Sequence, residues 1–212
     1  MAGQTNEITN IVRFLQEENQ RLQQENQERQ EENAYLRECL RSIRGIQRAL
    51  SNVEARGELK PLLDRIIYEA LRMADAADGS LTLVDEETQE VMFVVVRGTL
   101  HDRLEGFRMP VDDGLVGWVI AHQEPVIAND ITQDARFSPA IDARFGFQTQ
   151  SLICVPSVSR KKVLGAVEVV NKFSGRAFDE RDLDMLSVLA LIAAAAIDLA
   201  GFQCDENANP EA

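Results

Sequence analysis

Cysteine is scarce in this chain: three in 212 residues, at Cys39, Cys154 and Cys204. An odd and scattered set builds neither a disulfide framework nor a CxxC metal site, and a reducing cytoplasm is the expected compartment. Histidine is scarcer still. His101 and His122 have no third ligand near them, which argues against a metal centre or haem ligation. The formal net charge is −13 without any basic cluster, so the chain lacks an electrostatic footprint for nucleic acid or an anionic membrane. The first ten residues have no basic stretch followed by an apolar core, so they do not read as a secretory signal. The longest apolar run, residues 185–199, reads as too short and too alanine-rich to span a bilayer. Also missing are a glycine-rich phosphate loop, an HExxH spacing and a Ser-His-Asp order, and the expectation is a protein that is not an enzyme.

Residues 1–57 contain no lysine and no proline, and their eight arginines nearly balance nine acidic residues. Between Ile8 and Leu50 one heptad register places Leu15, Leu22, Leu36 and Ile43 at d positions, and Asn19, Asn26, Asn33 and Leu40 at a positions. Three successive asparagines on a seam weaken it, because each amide must be satisfied by its mate across the axis. In return they select register and a two-stranded parallel arrangement. Residues 1–57 therefore read as a coiled-coil dimerisation helix and linker in a parallel homodimer.

Residues 58–203 read as one globular domain and residues 204–212 as a disordered tail. Apolar residues from Leu59 to Met73 recur at helical spacing, with Pro61 tolerated in the first turn and 76–79 ending the helix. Residues 80–84 and 91–97 read as a hairpin, and 151–158 and 163–171 as two further strands joined by a basic turn. Asp179 and Asp182 have the spacing of a capping box at the start of a final helix. That helix is apolar on two faces, one for the sheet and one for other helices.

Two passages carry the most information: GLVGWVIAHQEPVIAND at residues 114–130 and NKFSGRAFDERDLDML at residues 171–186. Gly114 and Gly117 allow a tight entry into a short helix packed close to a sheet; Pro125 breaks it, and a short buried strand follows. In order and spacing these passages resemble the GAF domain family, over roughly residues 59–200. The resemblance implies an α+β fold: an antiparallel sheet with terminal helices on one face and, on the other, a cap at 114–147 enclosing a ligand pocket. Asn171, Lys172, Phe178 and Asp182 resemble in part the motif of the cyclic-nucleotide-binding GAF domains of phosphodiesterases and adenylyl cyclases, with Leu183 where that motif has Glu. In that subset the Lys and Asp pair as a structural lock. The implied ligand is a small molecule, with cAMP or cGMP possible. Topology nominates Asp130, Phe137, Ala143, Phe145 and Thr149 from the cap, and Ser80, Cys154 and Glu168 from strands, as pocket residues.

The function so implied is that of a dimeric sensory or regulatory protein, signalling through its coiled coil to a partner protein in trans. The rival reading is a coiled-coil scaffold whose GAF fold binds no ligand and serves dimerisation.

Overall fold

The computed structural model describes residues 2–56 and 59–200. Cys204, the tail at 204–212 and both expected domain boundaries, at 57–58 and at 203, lie outside them. The chain divides into two compact units, Met1–Ile43 and Arg44–Ala212. The first unit is helical, part of α1 (Ala2–Arg56). Leu15, Leu22, Leu36, Leu40 and Ile43 are all exposed on it, as are Asn19, Asn26 and Asn33. The asparagine amides bond within the helix: Asn26 Oδ1 accepts from Gln30 at 3.2 Å, and Asn33 Nδ2 donates to the Arg29 carbonyl at 2.8 Å. Arg21 bridges Glu18 and Glu25, a surface arrangement that solvent screens and that adds little to stability.

The second unit runs α2 (Lys60–Ala74), β1 (Ala76–Asp85), β2 (Glu90–Arg97), α3 (His101–Leu104), β3 (Arg108–Pro110), α4 (Gly114–His122), β4 (Val126–Ala128), α5 (Ala140–Phe145), β5 (Leu152–Ser159), β6 (Lys162–Lys172) and α6 (Glu180–Ala200). The six strands form one antiparallel sheet in the order β3-β2-β1-β6-β5-β4. Strand β1 begins at Ala76, four residues before the expected start. Asp75, in the left-handed region at φ 53°, donates its N–H to the Leu71 carbonyl and closes α2 at once, so Ala76 pairs directly with Lys172. His101 opens the short helix α3.

Period-2 alternation, shifted on β2 by a bulge between Phe93 and Val95, gives each face of the sheet its own core. Leu81, Val95, Ile153, Val155, Val167 and Val169 face α2 and α6, while Phe93, Leu152, Cys154, Ala166 and Val170 face the cap. On α2, Leu62, Leu63, Ile66 and Ile67 are almost wholly buried, each contributing about 1.5–3 kcal/mol of burial free energy. By length and composition alone α6 could cross a membrane, but Leu186, Ala190, Ala193 and Ile197 are buried in the core beneath the sheet. Its second apolar face is partly covered by the same core through Met185, Leu189 and Ile192, leaving Val188, Leu191 and Leu199 exposed.

The sheet is tightest where β6 crosses β1. A Cβ on Gly165 would stand 2.7 Å from the carbonyl carbon of Thr82 and 2.9 Å from Leu83 Cα, so backbone, not a movable side chain, blocks it. Gly165→Val is expected to lower the unfolding free energy by about 1–3 kcal/mol or more, read as a reduced urea midpoint at unchanged m-value. At Gly146, where a Cβ meets nothing within 4 Å but φ is +65°, alanine is expected to cost only about 1 kcal/mol.

Candidate functional site

Sheet and cap enclose a cavity of about 90 Å³. Of the pocket residues nominated from topology, Ser80, Phe137, Thr149 and Glu168 line it. The other four do not. Asp130 is exposed and caps the 3-10 turn Ile131–Gln133, accepting from the Thr132 N–H at 3.1 Å and the Thr132 hydroxyl at 2.6 Å. Ala143 faces solvent on α5, where helical spacing turns it away from Ile141 and Phe145. Phe145 is spent on packing, edge-on to Phe107 at 5.3 Å with the Arg103 and Arg144 guanidinium groups over its ring. Cys154 is fully buried in the cap-side core directly across from Glu168, and burial, with the Glu168 charge second, pushes its thiol well above the ordinary range. Such a thiol is inert at neutral pH.

Sequence reasoning missed Asp78, Arg97, Asp113 and Asp142 on the lining. Asp142 follows Pro139 and Ala140 into α5, and both its oxygens accept from Thr149, from the N–H and the hydroxyl, at 2.8 Å each. Asp78 Oδ1 accepts from the Thr99 N–H at 2.5 Å. Arg97 follows Val96 on β2, so alternation carries its guanidinium to the helix side. There it makes a bidentate bridge to Asp64 of α2 at 2.9 and 2.6 Å.

Glu168 occupies the cap face of a central strand, where alternation with Ala166 and Val170 places it. Its Oε1 accepts from the Ser80 hydroxyl at 2.7 Å, and the surface it retains opens on the cavity. Burial raises its pKa above the ordinary carboxylate value, an effect that the Ser80 hydrogen bond opposes.

The motif residues gather beside the cavity instead of in it. Lys172, at the end of β6, pairs with Asp182 on α6, their side chains only 8% and 11% exposed. Asp182 also accepts from the Asp179 N–H at 3.0 Å, while Asp179 accepts from the Arg181 and Asp182 N–H groups, a reciprocal capping box. Phe178 is buried in the helix-side core, its ring 5.2 Å from Lys172 Nζ. Its backbone is clipped at both ends by Asn129, which follows β4: Nδ2 donates to the Phe178 carbonyl at 3.0 Å and Oδ1 accepts from its N–H at 2.7 Å. That clip was not foreseen, since Asn129-Asp130 reads as an ordinary turn. Asn171, at φ 58°, uses its amide to hold Gln148 and Gln150 at the exit of the cap. Leu183 packs against the helix-side core in place of a glutamate. Trp118 is half-buried, stacked on His122 at 4.2 Å with Arg136 at 4.4 Å.

Two outcomes test this geometry. Lys172→Met leaves the Asp182 carboxylate buried without its cation and is expected to cost about 3–5 kcal/mol, whereas Lys172→Met/Asp182→Asn costs less than the sum of the single changes in a double-mutant cycle. Because the folded pKa of Glu168 is raised, its ionised form is disfavoured by folding, and the stability linked to its protonation is lost as pH rises through that folded value. Glu168→Gln is therefore expected to raise the melting temperature at pH 7–8, with the advantage shrinking as pH falls towards the unfolded carboxylate range of about 4.3.

The family model for the GAF domain matches residues 58–198. Over 90 residues the chain is 34% identical to the cone cGMP-specific 3',5'-cyclic phosphodiesterase subunit alpha' of Mus musculus, covering 42% of this chain and 10% of that protein. Over 142 residues it is 29% identical to the probable 3',5'-cyclic phosphodiesterase pde-5 of Caenorhabditis elegans, covering 63% of this chain and 19% of that one. The chain thus spans about a tenth to a fifth of the length of these relatives. The solved GAF domain of a phosphoenolpyruvate-protein phosphotransferase (ptsP) from Coxiella burnetii aligns at a TM-score of 0.66 with 19% identity, over 77% of this chain and 96% of that one, a likeness of fold. The family match takes in the sheet, the cap, the Lys172–Asp182 lock and nearly all of α6, and the chain belongs to the GAF domain family.

Proposed function

We propose that this protein is a sensory or regulatory module that binds a small ligand between sheet and cap, without catalysing a reaction on it. The observation that carries the reading is a cavity with a half-buried, partly unengaged carboxylate, next to a clasp that ties β6, β4 and α6 together. Ligand entry changes what the cap rests on, and the sheet passes that change to α2 and α6 on its other face. The α1 helix acts as a parallel homodimeric coiled coil, its exposed leucines and asparagines being the seam, and hands the signal to a partner protein in trans. The cytoplasm is the compartment in which we place it.

The phosphodiesterase relatives suggest cAMP or cGMP as the ligand. The cavity of about 90 Å³ falls short of the roughly 300–1,000 Å³ of pockets that enclose drug-sized molecules, so a nucleotide requires the cap to move outward. The same small volume favours the second reading, a scaffold whose GAF unit takes no ligand. A ligand at 100 times its dissociation constant stabilises by about 2.7 kcal/mol, which moves the melt of a unit this size by roughly 5–10 °C. A shift of that order with millimolar cAMP or cGMP supports the nucleotide, and none removes it.

For the coiled coil, Asn26→Val is expected to raise thermal stability and broaden the choice of oligomer, because the polar pair that disfavours trimers is gone. A thermal melt followed by circular dichroism checks the first and light scattering the second, and a monomer for the unaltered chain at micromolar concentration overturns the seam.

A further inference from the structure

Among the described residues, the cavity lining holds four carboxylates, Asp78, Asp113, Asp142 and Glu168, against one basic side chain, Arg97. Arg97 does not neutralise them, because its guanidinium is committed to Asp64 on the helix side of the sheet. Asp142 has both oxygens on Thr149 and Asp78 has one on Thr99. Besides the second oxygen of Asp78, two carboxylates keep acceptor capacity. Asp113, at the N-cap of α4, makes no capping hydrogen bond with its side chain. Glu168 engages only Oε1, with Ser80, and it is half-buried with its remaining surface on the cavity.

An anion entering here meets no available cation and several negative charges, and desolvating it against them is costly. The N-terminus of α4 also borders the cavity and offers roughly half a positive charge, but Asp113 sits on that terminus and the other carboxylates outweigh it. An ammonium group brings three donors and the opposite charge, which is what a carboxylate with a vacant oxygen can take. Size narrows the class: a cavity of about 150 Å³ admits benzene, so one of about 90 Å³ takes a handful of heavy atoms.

We propose that the cavity binds a compact molecule bearing an ammonium group, which is held by the Glu168 carboxylate within the field of Asp113, in preference to an anion. The proposal rests on the ligand-binding reading above and assigns that ligand its charge.

The test is an amide chemical-shift titration of the full chain with ethanolamine, ethylene glycol and glycolate, three molecules of similar size and different charge, and with cAMP and cGMP. Ethanolamine is expected to move the Ser80, Thr149 and Glu168 amides and to saturate at a concentration about tenfold or more below ethylene glycol and glycolate. Glu168→Gln is expected to weaken ethanolamine by about tenfold and to leave ethylene glycol nearly unchanged. If glycolate or a cyclic nucleotide binds at these residues as tightly as ethanolamine, or if Glu168→Gln leaves ethanolamine unaffected, the charge assignment falls and the ligand-binding reading stands. If none of the five moves these amides at about 50 mM, enough to saturate even a millimolar site, both fall.

Discussion

The structure around the cavity depends on the Lys172–Asp182 ion pair. Twelve residues of chain, from Asn171 to Asp182, leave the central strand β6, turn, and start α6, and the pair closes that excursion while nearly buried. Once α6 is anchored there, its capping box sets the helix start and Phe178 is delivered to the core with its backbone exposed to Asn129. The Asn129 clip then fixes the end of β4, and the Asn171 amide fixes the return from the cap into β5. One desolvated charge pair thus organises both ends of the cap. A pair of this kind contributes little net stability against apolar substitutes, but breaking it is expensive, so it specifies geometry more than it adds energy.

The two-faced sheet explains how a small event on the cap side can matter on the helix side. From Gly165 onward β6 alternates without interruption, so Glu168 and Val169 are neighbours that look into different cores. Val167 and Val169 share one core with Leu186 and Leu189 of α6, and packed cores do not deform smoothly. Arg97 makes a second connection across the sheet. It borders the cavity and holds Asp64 on α2, with Tyr68 beneath its guanidinium at 5.2 Å.

The fold was legible because periodicity encodes faces. The hairpin, the last two strands, the capping box and the α2 stripe could all be read from spacing, and so could the placement of Ala166, Glu168 and Val170 on one face. Depth was not legible. Cys154 and Glu168 share a face and a register, yet one is sealed in the core and the other borders the cavity. In the cap no repeat distinguishes Ala143 from Ile141, or the capping role of Asp130 from the lining role of Asp142, because short helices and turns are placed by tertiary contacts such as the Thr149 bonds. The early start of β1 was hidden for the same kind of reason: Ala76–Gly79 has turn-forming composition, and pairing with β6 overrode it.

Glu168 separates a binding module from a scaffold on physical grounds. A GAF fold kept only for dimerisation would gain from an apolar or amide side chain at this position, since a half-buried carboxylate carries a desolvation penalty that one hydroxyl donor, Ser80, offsets only in part. Several polar residues nearby are well engaged: Asp142 by Thr149, Asn171 by three backbone groups, Asn129 by two, and Lys172 by Asp182. Acceptor capacity left spare on a carboxylate that borders a cavity is a stability cost concentrated at a site. The interaction that would recover that cost is a donor arriving from outside, and Asp113 across the lining adds to the attraction for a positively charged one.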